Sequence, residues 1–401
     1  MFLLQRPLSV ITGLRPWQRG QWSYFRQQMR RYTGSGTAFA ADNLHLRAAA
    51  DWLARAQDAG GNGGVAGRYR LGRGWTNAYP KTTGDLIPTF LALADALNDR
   101  AFEKRAAACV AFLAPLQMQN GAFPAGEIGG SSAPSAFNTA QIISGLTAWH
   151  RHSGDRACLK AAKKAADWLV SLQESDGSWR QYFIGGLAST HDAYLACWLA
   201  ELGALVDEPR YLASAEQNLG VILSHQVDAT GWIELAGYDR AQQQKREALT
   251  HSIAYTLMGA LRTARILGDN DAVARLRAAA LAPARLLTEI DWLPAVLDWQ
   301  WQPKTTHACL TGNAQMAELW LTLHGMEADN LLFDAATRSL NIVKQSQSLD
   351  NPNLDIRGGV AGSNPIWGDY IFMGLPNWAA KFFVDALLLL KRQEQAMSAD
   401  G

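Results

Sequence analysis

A helical hairpin recurs along this chain every 53 to 64 residues, and that regularity limits the possible folds more than any other feature of the sequence. The clearest copy spans residues 165–205, AADWLVSLQESDGSWRQYFIGGLASTHDAYLACWLAELGAL. In it an amphipathic helix closes on Leu172 and Gln173, and a turn carries Asp176, Gly177 and Trp179. A polar and aromatic loop follows, and a second, more apolar helix is opened by Thr190, His191 and Asp192. The closing glutamine returns as Gln57, Gln117, Gln226 and Gln345, with one copy lacking it near Leu287. The polar starts of the second helices return as Asp85, Asn138, His191, His251, Asn313 and Asn377. Units that cannot bury an apolar face alone must pack on their neighbours.

Polarity decides which helix lies inside. LIPTFLALADAL, AQIISGLTAW, AYLACWLAELGAL and AAKFFVDALLLL are apolar almost all round, whereas first helices such as RACLKAAKKAADWLVSL keep a Lys and Arg face. A helix apolar on every side is buried. Six such helices inside a ring of six others make an all-α, closed (α/α)6 toroid, and closure removes the end repeats that an open solenoid must cap. We assign residues 43–401 to this domain, and residues 1–42, rich in Arg and aromatic side chains, to an arm packed on it. Locally, Asp42 or Asn43 is expected to cap the first helix. Pro88 is placed near the start of a helix and Pro283 is expected to bend one. The tail after Lys391 is expected to fray.

The charge balance of +1 supplies no basic field for nucleic acid. No apolar run reaches the ~18 residues a membrane span needs, and no signal peptide is evident, so a cytoplasmic location is expected. Cys109, Cys158, Cys197 and Cys309 show no CxxC pairing and read as buried thiols. No metal or cofactor is expected, because His307 and Cys309, the nearest approach to a zinc set, are too few ligands.

The segment WLVSLQESDGSW has the Gln, Gly and Trp order of the repeat named after its Gln and Trp in squalene and other terpenoid cyclases, and FLAPLQMQNGAFP is a looser copy with Phe123 in place of Trp. The chain thus resembles the α/α toroid superfamily, which also holds protein prenyltransferases and is similar in architecture to polysaccharide lyases and glycosidases. The resemblance implies the toroid. The DxDD and DDxxD acids of terpenoid chemistry are absent, since no two Asp residues are adjacent.

In such a toroid the inner helices aim their N-termini at one end, each contributing roughly half a positive charge, so the pocket there suits an anion. His191 and Tyr194 lie three apart on one inner helix, and His251 and Tyr255 lie four apart on the next; both spacings share a helical face. A His and Tyr pair suits proton abstraction beside a uronic acid carboxylate. The expected substrate-binding residues are Arg68, Trp75, Tyr79, Lys81, Asn138, Trp232, Trp301, Asn313, Arg357 and Trp367. In this set Asn138, Asn313 and Arg357 neutralise the carboxylate and the aromatic side chains stack on sugar rings. Asp85 and Asp192, with Glu127, Glu234 and Asp369, keep open a hydrolase working with two carboxylates.

The expectation is therefore an enzyme that acts on an acidic, uronate-containing polysaccharide or oligosaccharide by β-elimination or C5 epimerisation. The alternatives are a glycoside hydrolase, a terpenoid or prenyl enzyme lacking the usual acids, and a non-catalytic saccharide-binding toroid.

Overall fold

The computed structural model describes residues 19–32 and 39–400. Helix α1 (Arg19–Tyr32) precedes twelve barrel helices. The outer helices are α2 (Asp42–Gly60), α4 (Ala101–Leu113), α6 (Arg156–Leu172), α8 (Pro209–Ser224), α10 (Asn270–Ile290) and α12 (Asn330–Ser346). The inner helices are α3 (Pro80–Ala96), α5 (Ala136–Ser153), α7 (Ala193–Val206), α9 (Thr250–Leu267), α11 (Leu310–Met326) and α13 (Asn377–Asp400). Each inner helix touches the next around the ring, and α13 returns to α3 while α2 packs on α13, so the barrel closes. The fold is an α/α toroid.

Local chemistry sets the helix limits. Asp155, Asp269 and Asp329 accept hydrogen bonds from the first free amides of α6, α10 and α12. Gly154 and Gly268 end α5 and α9 in the left-handed conformation. Four local expectations change. Asp42 makes no cap, lying inside the first turn of α2 and pairing with Lys344 at 2.6 Å. Helix α3 starts at Pro80, which leaves Pro88 in its interior. Helix α10 continues through Pro283 to Ile290, and α13 runs on to Asp400.

The glutamines stitch the ring together. Gln117 Nε2 donates to the turn carbonyl of Gly121 (3.1 Å) and to Ala161 of the next outer helix (2.8 Å). Gln173 repeats this with Gly177 (3.0 Å) and Ser214 (2.8 Å), and Gln57 with Gly63 and Arg105 (both 2.9 Å). At the closing seam the role falls to Gln347 rather than Gln345: its amide donates to Gly358 (2.8 Å) and to His45 of α2 (3.2 Å). Gln345 instead accepts from Asn364. The seam also needs Gly358, which has φ of 85° and sits against the backbone of Ala48, where a Cβ has no room. Gln347→Ala would remove both amide hydrogen bonds that cross the seam, at about 1 kcal/mol each. The urea midpoint is expected to fall further than for Gln226→Ala, whose amide donates to one outer-helix carbonyl, that of Arg275 (3.1 Å), at a more exposed site.

Loops between the hairpins carry short antiparallel ribbons: β1 (Arg68–Arg70) pairs with β2 (Gly74–Trp75) and β7 (Gly374–Pro376), β3 (Glu247–Leu249) with β4 (Val296–Asp298), and β5 (Ala308–Cys309) with β6 (Ser363–Asn364). They lie on the side where the inner helices begin. Helix α1, part of the expected arm, packs there too: Tyr24 Oη donates to Ser346 O (2.7 Å) and Phe25 meets Trp367. Residues 1–18 and 33–38 of that arm fall outside the described residues. Among the described residues no helix is long and apolar enough to cross a membrane.

Candidate active site

A cavity of about 550 Å³ opens at the end where the inner helices begin. Its lining comes from helix starts and the loops above them: Tyr79 and Lys81 of the α3 start, Phe137 and Asn138 of α5, His251 and Tyr255 of α9, and Trp378 of α13. Tyr182, Phe183, Tyr238 and Tyr370 descend from the loops. Thus Tyr79, Lys81, Asn138, His251 and Tyr255, five of the expected site residues, stand together.

The helical spacing of His251 and Tyr255 brings their rings to 4.4 Å between centroids. His251 Nδ1 lies 2.5 Å from the side-chain carbonyl of Gln315, so Nδ1 carries the hydrogen and Nε2 keeps a lone pair. Burial, with Lys81 nearby, pushes the imidazole down to about 3, so it is neutral across the physiological range. The Tyr255 phenol is moved the other way, well above its ordinary value, by burial and by the Asp85 carboxylate. Lys81 Nζ donates to Tyr255 Oη at 3.1 Å and lies 2.6 Å from Asp85. The site therefore holds a neutral base, a protonated phenol and an ammonium with one of its three hydrogens uncommitted to Tyr255 or Asp85.

The other expected residues stand elsewhere. His191 is fully buried behind the wall, among Phe137, Phe183 and Tyr238. Ser189 Oγ donates to Leu235 O and lies 2.5 Å from His191 Nδ1. Tyr194 faces away from the mouth, its ring 4.5 Å from that of Tyr255. Asp192 is a structural tie: it accepts from Trp179 N and Asn218 Nδ2, both at 3.1 Å, and does not line the cavity. Asp85 sits beneath the floor in its pair with Lys81. Glu234 is held by Arg246. Among the described residues that line the cavity there is no carboxylate.

Several expected binding residues pack instead of facing the cavity. Trp75 lies on Trp52 and Tyr69. Trp232 and Trp301 are buried on each other at 5.2 Å, with Trp301 Nε1 donating to Thr230 O. Asn313 donates to Cys309 O (2.9 Å) and accepts from Ser339 Oγ (3.0 Å), fully buried. Arg357 Nε donates to Asn351 O at 2.7 Å, and Trp367 carries α1. Arg68 flanks the site, within electrostatic reach of Tyr79 and Tyr370, and its buried Nε has no hydrogen-bond partner. Sequence reasoning passed over Phe137, Tyr182, Phe183, Tyr238, Tyr370 and Trp378 as site residues. The signal present in the sequence was position: Phe137 and Trp378 each adjoin a recurring polar start, Asn138 and Asn377.

The two neutral imidazoles have a consequence for stability. His191, like His251, is pushed by burial to about 3, against 6.5 for the unfolded chain. Above pH 6.5 both states are neutral and nothing is gained or lost. As pH falls from 6.5 toward 3, the unfolded chain takes up protons that the folded chain refuses. Each imidazole then removes about 1.4 kcal/mol of stability per pH unit. Urea midpoints measured from pH 7 to pH 5 should fall, and His191→Phe should make that fall shallower.

Residues 45–279 match the profile described as beta-L-arabinofuranosidase, GH127 catalytic domain. The chain belongs to this GH127 family. The protein is accordingly a carbohydrate-active enzyme. No curated protein matches the GH127 chain by sequence. Among solved structures it is similar to the unsaturated glucuronyl hydrolase of Bacillus sp. GL1, responsible for the degradation of glycosaminoglycan, with TM-score 0.69 at 14% identity over 88% of this chain and 97% of that one. Cellobiose 2-epimerase from Bacillus thermoamylovorans aligns with TM-score 0.68 at 12% identity over 86% and 97%. An alpha-amylase from Clostridium perfringens aligns with TM-score 0.63 at 11% identity over 86% and 97%. At these identities the likeness is one of fold. Family membership sets aside the terpenoid reading and the non-catalytic binding toroid.

Proposed function

We propose that the mouth cavity takes a uronosyl residue of an acidic oligosaccharide and removes its C5 proton. The observation that carries this is the pair on α9: a neutral His251 that lines the cavity with its lone pair on Nε2, beside a protonated Tyr255 whose oxygen already accepts from Lys81. His251 Nε2 receives the proton. The free hydrogen of Lys81, with Arg68 alongside and the helix N-termini around, stabilises the carboxylate and the charge that builds on it. Tyr255 protonates the departing glycosidic oxygen, and the proton on His251 then restores the phenol. Because His251 and Tyr255 stand on one helical face, both address the same side of the sugar, which favours syn β-elimination. C5 epimerisation follows if Tyr79 returns a proton to the other face of C5 and then takes back the one held by His251. The aromatic lining supplies stacking surface for the ring.

Hydrolysis is the second reading, favoured by the family match. Asp85, the carboxylate beside Lys81, would then need to leave its ion pair to act. Incubation with uronate oligosaccharides in heavy water separates the outcomes. Ultraviolet absorbance of an unsaturated product marks elimination, deuterium at C5 without cleavage marks epimerisation, and new reducing ends without that absorbance mark hydrolysis and overturn the first reading.

A further inference from the structure

The barrel is hollow at both ends. Away from the mouth, a second cavity of about 360 Å³ is lined by residues of all six inner helices. Tyr194 belongs to this cavity and Tyr255 to the mouth, and their rings, in contact at 4.5 Å between centroids and tilted by 39°, divide the two. The polar groups of the second cavity are mostly in pairs. Arg262 meets Glu201 at 3.3 Å and lies over the Trp198 ring, 4.3 Å from its centroid. Lys381 meets Asp385 at 2.8 Å, and Asp385 also accepts from Thr89 at 2.9 Å.

Glu318, which also lines the cavity, is not held in such a pair. Among the described residues its carboxylate makes no close ion pair and is reached by Lys381 and Arg262 only electrostatically, and its Oε2 is buried without a hydrogen-bond partner. Leaving such an oxygen unpaired costs free energy that a ligand can recover. Helices α3, α5, α7, α9 and α11 all end within five residues of a lining position, so their carbonyl ends bring partial negative charge to the same space. No group of three metal-binding side chains exists among the described residues. What fits a carboxylate oxygen lacking a hydrogen bond, carbonyl ends and the rings of Trp198 and Tyr194 is an ammonium or guanidinium head, which brings N–H donors, on a short carbon chain.

We propose that this cavity binds a small organic cation, a primary amine or guanidine, with its charged head on Glu318 and its carbon chain against Trp198 and Tyr194. Titration calorimetry with n-butylammonium and methylguanidinium chlorides, at constant ionic strength, tests it. Sodium butyrate and potassium chloride serve as controls. Saturable binding of the organic cations is expected, without binding of butyrate. Glu318→Gln should weaken it by about tenfold or more, equivalent to about 1.4 kcal/mol. Ala148→Phe, which fills the space without altering charge, should abolish it and decides the matter if the first variant does not fold. Absence of saturable binding, equal binding of potassium, or unchanged affinity in either folded variant overturns the proposal. The site shares no residue with the mouth cavity, so neither result bears on the uronate reading.

Discussion

His251→Ala is expected to lower turnover of a uronate oligosaccharide by about 10²- to 10⁴-fold, the range a general base contributes, with the barrel still folded. Its side chain is fixed from below by Gln315 and flanked by Tyr255, so the loss falls on kcat and leaves KM largely in place. Tyr255→Phe keeps the ring contacts with Tyr194 at 4.5 Å and Phe137 at 5.3 Å while removing the oxygen that accepts from Lys81. It should cost a comparable factor. The pH profile carries a further signature. An imidazole held at about 3 is already in its base form throughout the neutral range, so the acid limb of kcat/KM should not bend near 6.5. Unchanged turnover in both variants would place the chemistry elsewhere.

Asp192→Ala is expected to be a stability variant and not a catalytic one. Its carboxylate accepts from Trp179 N and Asn218 Nδ2, which joins the turn after α6 to the start of α7 and to α8. Removing it leaves two buried donors unpaired, about 2–6 kcal/mol in all, a large share of what holds a domain together. Asp192→Asn should cost much less, because one oxygen still accepts. Burial pushes the Asp192 carboxyl up to about 7 against the pull of those two donors. A raised carboxyl contributes stability that is complete below the unfolded value of 3.8 and is lost as pH rises through 7. The Asn variant should therefore gain on the parent as pH rises from 3.8 toward 7, with no further gain above 7. Circular dichroism in urea gives the midpoints, and turnover per folded molecule should stay near the parent value. A fall in turnover of a hundredfold without loss of stability would restore Asp192 as a catalytic acid.

The architecture could be read in the chain because it is periodic. Recurring Gln residues and all-round apolar helices specify six hairpins, and a ring is the arrangement that buries all six. The α9 pair could be read as well, since a spacing of four on a helix is itself a statement about direction. The same rule applied to His191 and Tyr194 led elsewhere. A short 3-10 turn, Thr190–Asp192, precedes α7, so the two residues do not share one helical run, and His191 turns back behind the wall.

Loop residues were the least legible. Nothing local distinguishes Trp232, which packs on Trp301, from Tyr238, which lines the cavity, because both stand in the loop between α8 and α9 beside a glycine. Nor does sequence separate Gln345 from Gln347 two positions later. The closing seam chooses between them by placing His45 and Gly358 within reach of Gln347 alone.

By itself, then, the sequence determined the helical period, the inner and outer faces and the residues that stand at helix starts, all of which follow from interactions a few positions apart. The tertiary structure decided which of those residues meet. The mouth cavity draws on helix starts and loops separated by up to the length of the barrel, and their convergence depends on the closure of the ring and on which charges find partners inside it.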